Sequence, residues 1–229
     1  ATVSAAVAAT RTASDVQEKV AATLSAPTPT TAPPTPTTES ASTVNKILDN
    51  VLALSENHVT TGVDYFKDGR YEDAIQEFDQ AIQLDPDFAI AFMDRGLAYY
   101  HLGENQTAIS DYDKAIQLDP NYFKAYLHRG LAYSSLGQYQ AAISDSTMAI
   151  QLDPDDGLLD GQSYRTRGHA YYELGEYQSA VEDLDQAIQI DPNYAWAYAA
   201  RAAALWELGQ SSLSDKDSEK ACELDRSHC

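Results

Sequence analysis

The chain has 229 residues and carries 35 acidic side chains against 15 lysines and arginines, a net charge of −20. A surface this acidic repels phosphate backbones and anionic lipid, so nucleic acid is not an expected partner. No apolar stretch approaches the roughly 20 residues that cross a bilayer, so no membrane span is expected either.

Residues 1–25 are rich in Ala, Val and Thr, and Val16, Val20 and Leu24 share one face of a weakly amphipathic helix that reads as an assembly element. Residues 26–43 form a Pro/Thr-rich linker with five prolines, favouring an extended polyproline-like strut. Thr28, Thr30, Thr31, Thr35, Thr37 and Thr38 in and beside it suit O-glycosylation. Residues 44–54 space Val44, Ile47, Leu48, Val51 and Leu52 as a helix, with Ser42 or Thr43 as its cap. This helix is expected to pack on, and so cap, the first helical pair of the repetitive region that begins at residue 55.

From residue 55 the sequence repeats. Pro86, Pro120, Pro154 and Pro192 are separated by 34, 34 and 38 residues. Gly62, Gly96, Gly130 and Gly168 keep the same steps, as do Gly69, Gly103, Gly137 and Gly175, and Gly209 extends the second series. A fixed period of this size signals stacked repeats, here 55–88, 89–122, 123–156, 161–194 and a degenerate 195–228. Each unit reads as two helices, A and B. In the second, A covers about 90–102 and ends at Gly103, which adopts a left-handed C-cap without cost. B covers about 106–118 and stops at Asp119-Pro120, because proline lacks an amide hydrogen and disfavours helix before itself. Gly62 and its equivalents lie inside helix A, where close approach of helix B would offset their weak helix propensity. Tyr65, Tyr99, Tyr133 and Tyr171 are placed to fill the space beside them.

The segment Ala125-Tyr126…Arg129-Gly130…Tyr133…Leu136-Gly137…Tyr139…Ala142…Ala149…Asp153-Pro154 resembles the tetratricopeptide-repeat consensus. The resemblance implies an all-α fold, a right-handed superhelical solenoid of helix-turn-helix repeats whose A helices line the concave side. In the last unit Ala202 replaces the helix-A glycine and Arg226 the proline, and its second helix is polar, as a solenoid end in water requires. Some members clamp acidic chaperone tails with lysine and asparagine on helix A. Here those positions hold Val59, Met93, Leu127 and Val63, Leu97, Leu131, with Arg165 alone basic, which disfavours that role.

The candidate partner-binding residues on the concave side are Phe66, Ile90, Met93, Leu97, Tyr100, Leu127, Leu131, His169, Tyr172, Trp196 and Trp206. Together they predict an apolar groove for a helix or extended peptide. Arg95, Arg129, Arg167 and Arg201 recur with the period, as do Asp111, Asp145 and Asp183; bridges between stacked helices are the favoured reading over an anion ladder. Asn105-Gln106-Thr107 is a glycosylation sequon expected in the turn between helices, and Cys222 and Cys229 have the spacing of a small disulfide loop. No nucleophile–base constellation, phosphate loop or metal cluster is legible, so neither catalysis nor a cofactor is expected.

Two functions compete. One is a protein-interaction scaffold for a protein or peptide ligand. The other is a self-assembling structural subunit of an extracellular filament or ring, with residues 1–25 docking on other copies of the chain through a linker that reaches roughly 55 Å. The Pro/Thr tract, the cysteines and a chain beginning at Ala1 point to an extracytoplasmic setting, secreted, periplasmic or at a cell surface.

Overall fold

The computed structural model describes residues 38–153 and 161–226, with side chains from Asn45 onward. Ten α-helices make up the regular structure of these residues: α1 (Thr38–Lys67), α2 (Tyr71–Leu84), α3 (Ala89–His101), α4 (Asn105–Leu118), α5 (Phe123–Ser135), α6 (Tyr139–Leu152), α7 (Gln162–Glu173), α8 (Tyr177–Ile190), α9 (Ala195–Glu207) and α10 (Ser211–Leu224). Two compact units divide the chain, Ala1–Leu54 and Ser55–Cys229. The expected assembly segment 1–25, linker residues 26–37, and residues 154–160 and 227–229 lie outside the described residues.

One helix corrects the sequence reading. A separate helix over 44–54 and a first repeat helix starting at residue 55 are replaced by the continuous 30-residue α1. It also takes in residues 38–43, assigned above to the linker, so Ser42 and Thr43 lie within it rather than capping it. The physical reason is local: after Pro36 neither proline nor glycine occurs before Gly62, so nothing in the backbone stops the helix.

The repeat unit is built from two kinds of turn. Within a pair, Gly69, Gly103, Gly137, Gly175 and Gly209 take φ of 71° to 80°, a region L side chains rarely adopt. Between pairs, the residue before proline leaves the helix: Asp85, Asp119 and Asp191 are extended, with φ of −136°, −134° and −123°. Their carboxylates accept the backbone N–H two residues on, from Asp87, Asn121 and Asn193, at 3.2, 3.0 and 2.9 Å. Tyr126 and Tyr198 donate their hydroxyls to the carbonyls of Pro120 and Pro192, fixing the loop to the next helix.

The core runs between helices A and B. Ala74, Ala81, Ala108, Ala115, Ala142, Ala149, Ala180 and Ala187 are buried on the B helices and admit close helix approach. Phe78, Tyr112 and Leu184 fill the space at the same repeat position. The helix-A glycines face these side chains. A Cβ on Gly62 would stand 2.6 Å from the Phe78 ring, and one on Gly96 2.8 Å from the Tyr112 ring. It is thus the B-helix side chain, not the A-helix tyrosine three residues on, that occupies the space beside the glycine. Gly161, outside the periodic series, has φ +76° at the start of α7, and a Cβ there would meet the Ala187 backbone at 3.1 Å.

Successive A helices touch: α3 with α5, α5 with α7, α7 with α9, while the B helices stand farther apart. The A helices therefore line the inner curve of the repeats. Periodic ion pairs hold the outer layer. Arg95 donates Nε and Nη2 to Asp111 at 2.8 and 2.6 Å and Nη1 to Asp79, so one guanidinium ties its own B helix to the preceding one. Arg129 does the same with Asp145 and Asp113, and Arg201 with Asp217 and Asp185. Arg167 grips Asp183 at 2.7 and 2.8 Å, but its third donor meets Thr147 at 3.0 Å, because threonine stands where the other rungs have aspartate. These bridges account for the arginine and aspartate series without an external anion.

Candidate functional site

The inner face of α3, α5, α7 and α9 carries the candidate residues. Phe66 on α1, then Ile90, Leu97, Tyr100, Leu131, His169, Tyr172 and Trp196, are partly exposed, and Trp206 is 62% exposed. Met93 and Leu127 depart from the expectation. At 7% and 0% exposure they belong to the core: Met93 sits in a cluster with Ile109 and Tyr112 of α4 and Ala125 of α5, so neighbouring helices cover it.

Two aromatic groups organise this face. Near its start Phe66, Tyr71 and His101 form a triangle with ring centroids 5.1–5.2 Å apart. Farther along, His169 stands 6.1 Å from Trp196 and 6.3 Å from Tyr139. Its Nδ1 lies 3.2 Å from the Ser134 hydroxyl and its Nε2 3.6 Å from Glu173. The groove candidates read from the sequence omit Tyr71, Tyr139 and His101, and also Tyr177, whose ring centroid lies 5.5 Å from that of Tyr172. The tyrosines had a signal, since each lies two residues after a turn glycine, Gly69, Gly137 or Gly175.

Two cavities open side by side at the C-terminal end. One, of about 200 Å³, lies between α7 and α9, walled by His169, Tyr172 and Trp196 and floored by Ala199, Ala200 and Ala203. The other, an open hollow of about 340 Å³, is lined by Tyr172, Ala199, Ala203, Trp206 and Glu207 and by Ser214, Ser218 and Ala221 of α10. Ser218 lines it at the repeat position that holds Phe78, Tyr112, Ser146 and Leu184 in the earlier repeats. Tyr172 lines both cavities. Burial raises its hydroxyl pKa, and the negative charges of Glu207, Tyr177 in its ionised form and Glu173 raise it further. Arg165 lies 5.5 Å above the Trp196 ring.

A separate polar cluster sits between α3 and α5. Burial pushes the Asp94 carboxyl up to about 7, with Lys124 opposing the shift. Burial pulls His128 down to about 4, aided by Lys124 and His101. The Tyr112 hydroxyl and His128 Nδ1 are enclosed without a hydrogen-bond partner among the described residues. No group of His, Cys, Asp and Glu that would hold a metal occurs among the described residues. No described helix is long and apolar enough to cross a membrane.

Asn105 is the first residue of α4 rather than part of the preceding turn, and Thr107 of the same sequon is exposed. Cys222 is disulfide-bonded, and Cys229, its expected partner, lies outside the described residues. Thr28, Thr30, Thr31, Thr35 and Thr37 also lie outside them, while Thr38 opens α1.

No curated protein matches the chain by sequence. Solved structures do. A crystal structure of MamA protein aligns with TM-score 0.65 and 25% identity over 76% of this chain and 92% of that one. MamA 41-end from Desulfovibrio magneticus RS-1 aligns with TM-score 0.67 and 20% identity, over 76% and 96%. YrrB, described as a TPR protein with an unusual peptide-binding site, aligns with TM-score 0.62 and 18% identity, over 75% and 86%. Family models for the tetratricopeptide repeat match residues 59–123 and 111–144, and a TPR repeat model matches 168–209. The repeat period, the paired helices and these matches agree: the chain belongs to the tetratricopeptide-repeat family, and its fold is an all-α solenoid.

Proposed function

We propose that this protein is a non-enzymatic interaction scaffold that holds a peptide or partner helix along the inner face of its A helices. One observation carries the reading: Leu97, Tyr100, Leu131, Tyr172, Trp196 and Trp206 stay at least partly exposed on successive A helices, with two cavities beside Tyr172, Trp196 and Trp206. Aromatic side chains that enter desolvated contacts dominate interface energies. Peptides selected against the chain from a random-sequence library provide the test. They should bind Leu97→Asp or Tyr172→Asp at least about tenfold more weakly, the loss expected when a hot-spot contact is removed. Trp206→Ala guards against simple unfolding, since that ring is largely solvent-exposed and its loss should weaken binding while leaving helicity unchanged. Undiminished binding to all three variants contradicts the reading.

A second reading, a self-assembling subunit, draws on the last repeat, where Trp206, Leu208 and Leu213 are exposed together. Head-to-tail contact through that end would bury them. Analytical ultracentrifugation across a concentration series separates the readings: a stable monomer removes self-assembly. The bonded Cys222 supports an extracytoplasmic setting for either.

A further inference from the structure

We infer that the C-terminal half of the groove selects a basic, amphipathic peptide, with an aliphatic side chain in the alanine-floored trough and a lysine or arginine beside Tyr172. The inference rests on the groove reading above and specifies its ligand.

The trough is continuous, because Tyr172, Ala199 and Ala203 line both cavities. Its floor has no side chain larger than a methyl group at positions 199, 200 and 203, which leaves width for a leucine or methionine. The rim is acidic. Glu173 lines one cavity and Glu207 the other, both are exposed, and both act on the Tyr172 hydroxyl. Glu173 is shared with Tyr139 at 3.3 Å and His169 at 3.6 Å, whereas Glu207 has no cation within reach among the described residues. Arg165, the nearby cation, is stacked on Trp196. An incoming ammonium or guanidinium therefore meets two carboxylates beside the rings of Tyr172 and Trp206, where charge attraction and cation–π contact can add. The first half of the groove differs. Phe66, Tyr71, Leu97, Tyr100 and Leu131 supply neutral surface there, so the charge selection belongs to the last two repeats.

Both tryptophans of the chain, Trp196 and Trp206, line this trough, so intrinsic emission reads the site directly. The probe is a synthetic leucine/lysine amphipathic peptide of about twelve residues, three or so helical turns, with leucine/glutamate and leucine/glutamine analogues. The leucine/lysine peptide should shift the emission saturably, and the glutamate analogue should bind at least about tenfold more weakly. Glu173→Gln with Glu207→Gln should weaken the lysine peptide about fivefold, the effect of two exposed ion pairs. That pair removes only two of 35 acidic side chains, so it tests the site rather than general attraction to an acidic protein. Equal binding of the lysine and glutamate peptides, or indifference to the glutamine pair, overturns charge selection and leaves the groove reading standing. No shift with any of the three peptides overturns both. Emission that shifts with protein concentration alone gives the trough to a second copy of the chain and overturns the peptide ligand.

Discussion

Gly96 and Gly130 occupy the same repeat position but face different neighbours. A Cβ on Gly96 would lie 2.8 Å from the ring of fully buried Tyr112, which has nowhere to move. On Gly130 it would lie 3.3 Å from the Ser146 hydroxyl. Gly96→Ala should therefore destabilise the chain by about 1–3 kcal/mol through overpacking. Gly130→Ala should be neutral or stabilising by up to about 1 kcal/mol through helix propensity. Chemical denaturation of both variants checks the contrast, and equal effects would contradict the packing account. The degenerate repeat already shows the combination, with Ala202 opposite Ser218. The cluster between α3 and α5 makes a second prediction. Asp94, with a folded pKa of about 7, contributes stability that is present below the ordinary carboxylate pKa and lost as pH rises toward 7. His128, lowered to about 4, contributes stability present above the ordinary histidine pKa and lost as pH falls toward 4. Between those limits the two slopes oppose each other, so the wild-type contribution is nearly flat. Asp94→Asn should unmask a loss of stability on acidification, and His128→Gln a loss as pH approaches 7. Urea unfolding at both ends of the window measures this; one common slope in the two variants would contradict it.

At the scale of helices, the Arg–Asp ladder couples α3, α5 and α9 each to two B helices, while on α7 Arg167 reaches the second through Thr147. Arg129 is the test rung, because Asp145 beneath it is buried. Arg129→Gln should cost about 3 kcal/mol by stranding that carboxylate, and adding Asp145→Asn should recover part of the loss. Thr147→Asp should add no more than about 1 kcal/mol, since the equivalent acids Asp79, Asp113 and Asp185 are substantially exposed. Thermal unfolding of the three variants orders these effects, and an Arg129→Gln chain as stable as wild type would dismiss the ladder as decoration. The helix pairs themselves were legible in the sequence, because glycine and proline act locally and recur at a fixed step. The start of α1 was not: absence of a stop signal predicts continuation only when no composition cue argues otherwise, and the Pro/Thr tract argued for a linker. Among the groove candidates, Leu97 and Tyr172 are half-buried and Trp206 is exposed. Met93 and Leu127 are buried although Ala199, at the same repeat position, lines both cavities, so burial there depends on the neighbouring side chains, which the period does not encode.

Over the whole repeat unit, the A helices form a near layer and the B helices a spread one, giving one face that gathers apolar side chains and another laced with ion pairs. The apolar residues left open at the last repeat are the groove's continuation in the scaffold reading and an assembly contact in the other. Photo-cross-linking of a library-selected peptide, with the attachment points mapped by mass spectrometry, tests the central claim most directly. The account predicts cross-links on the inner face of α3, α5, α7 and α9, at residues such as Leu97, Leu131, Tyr172 and Trp206. Cross-links confined to the outer faces of α4, α6 and α8 would contradict it.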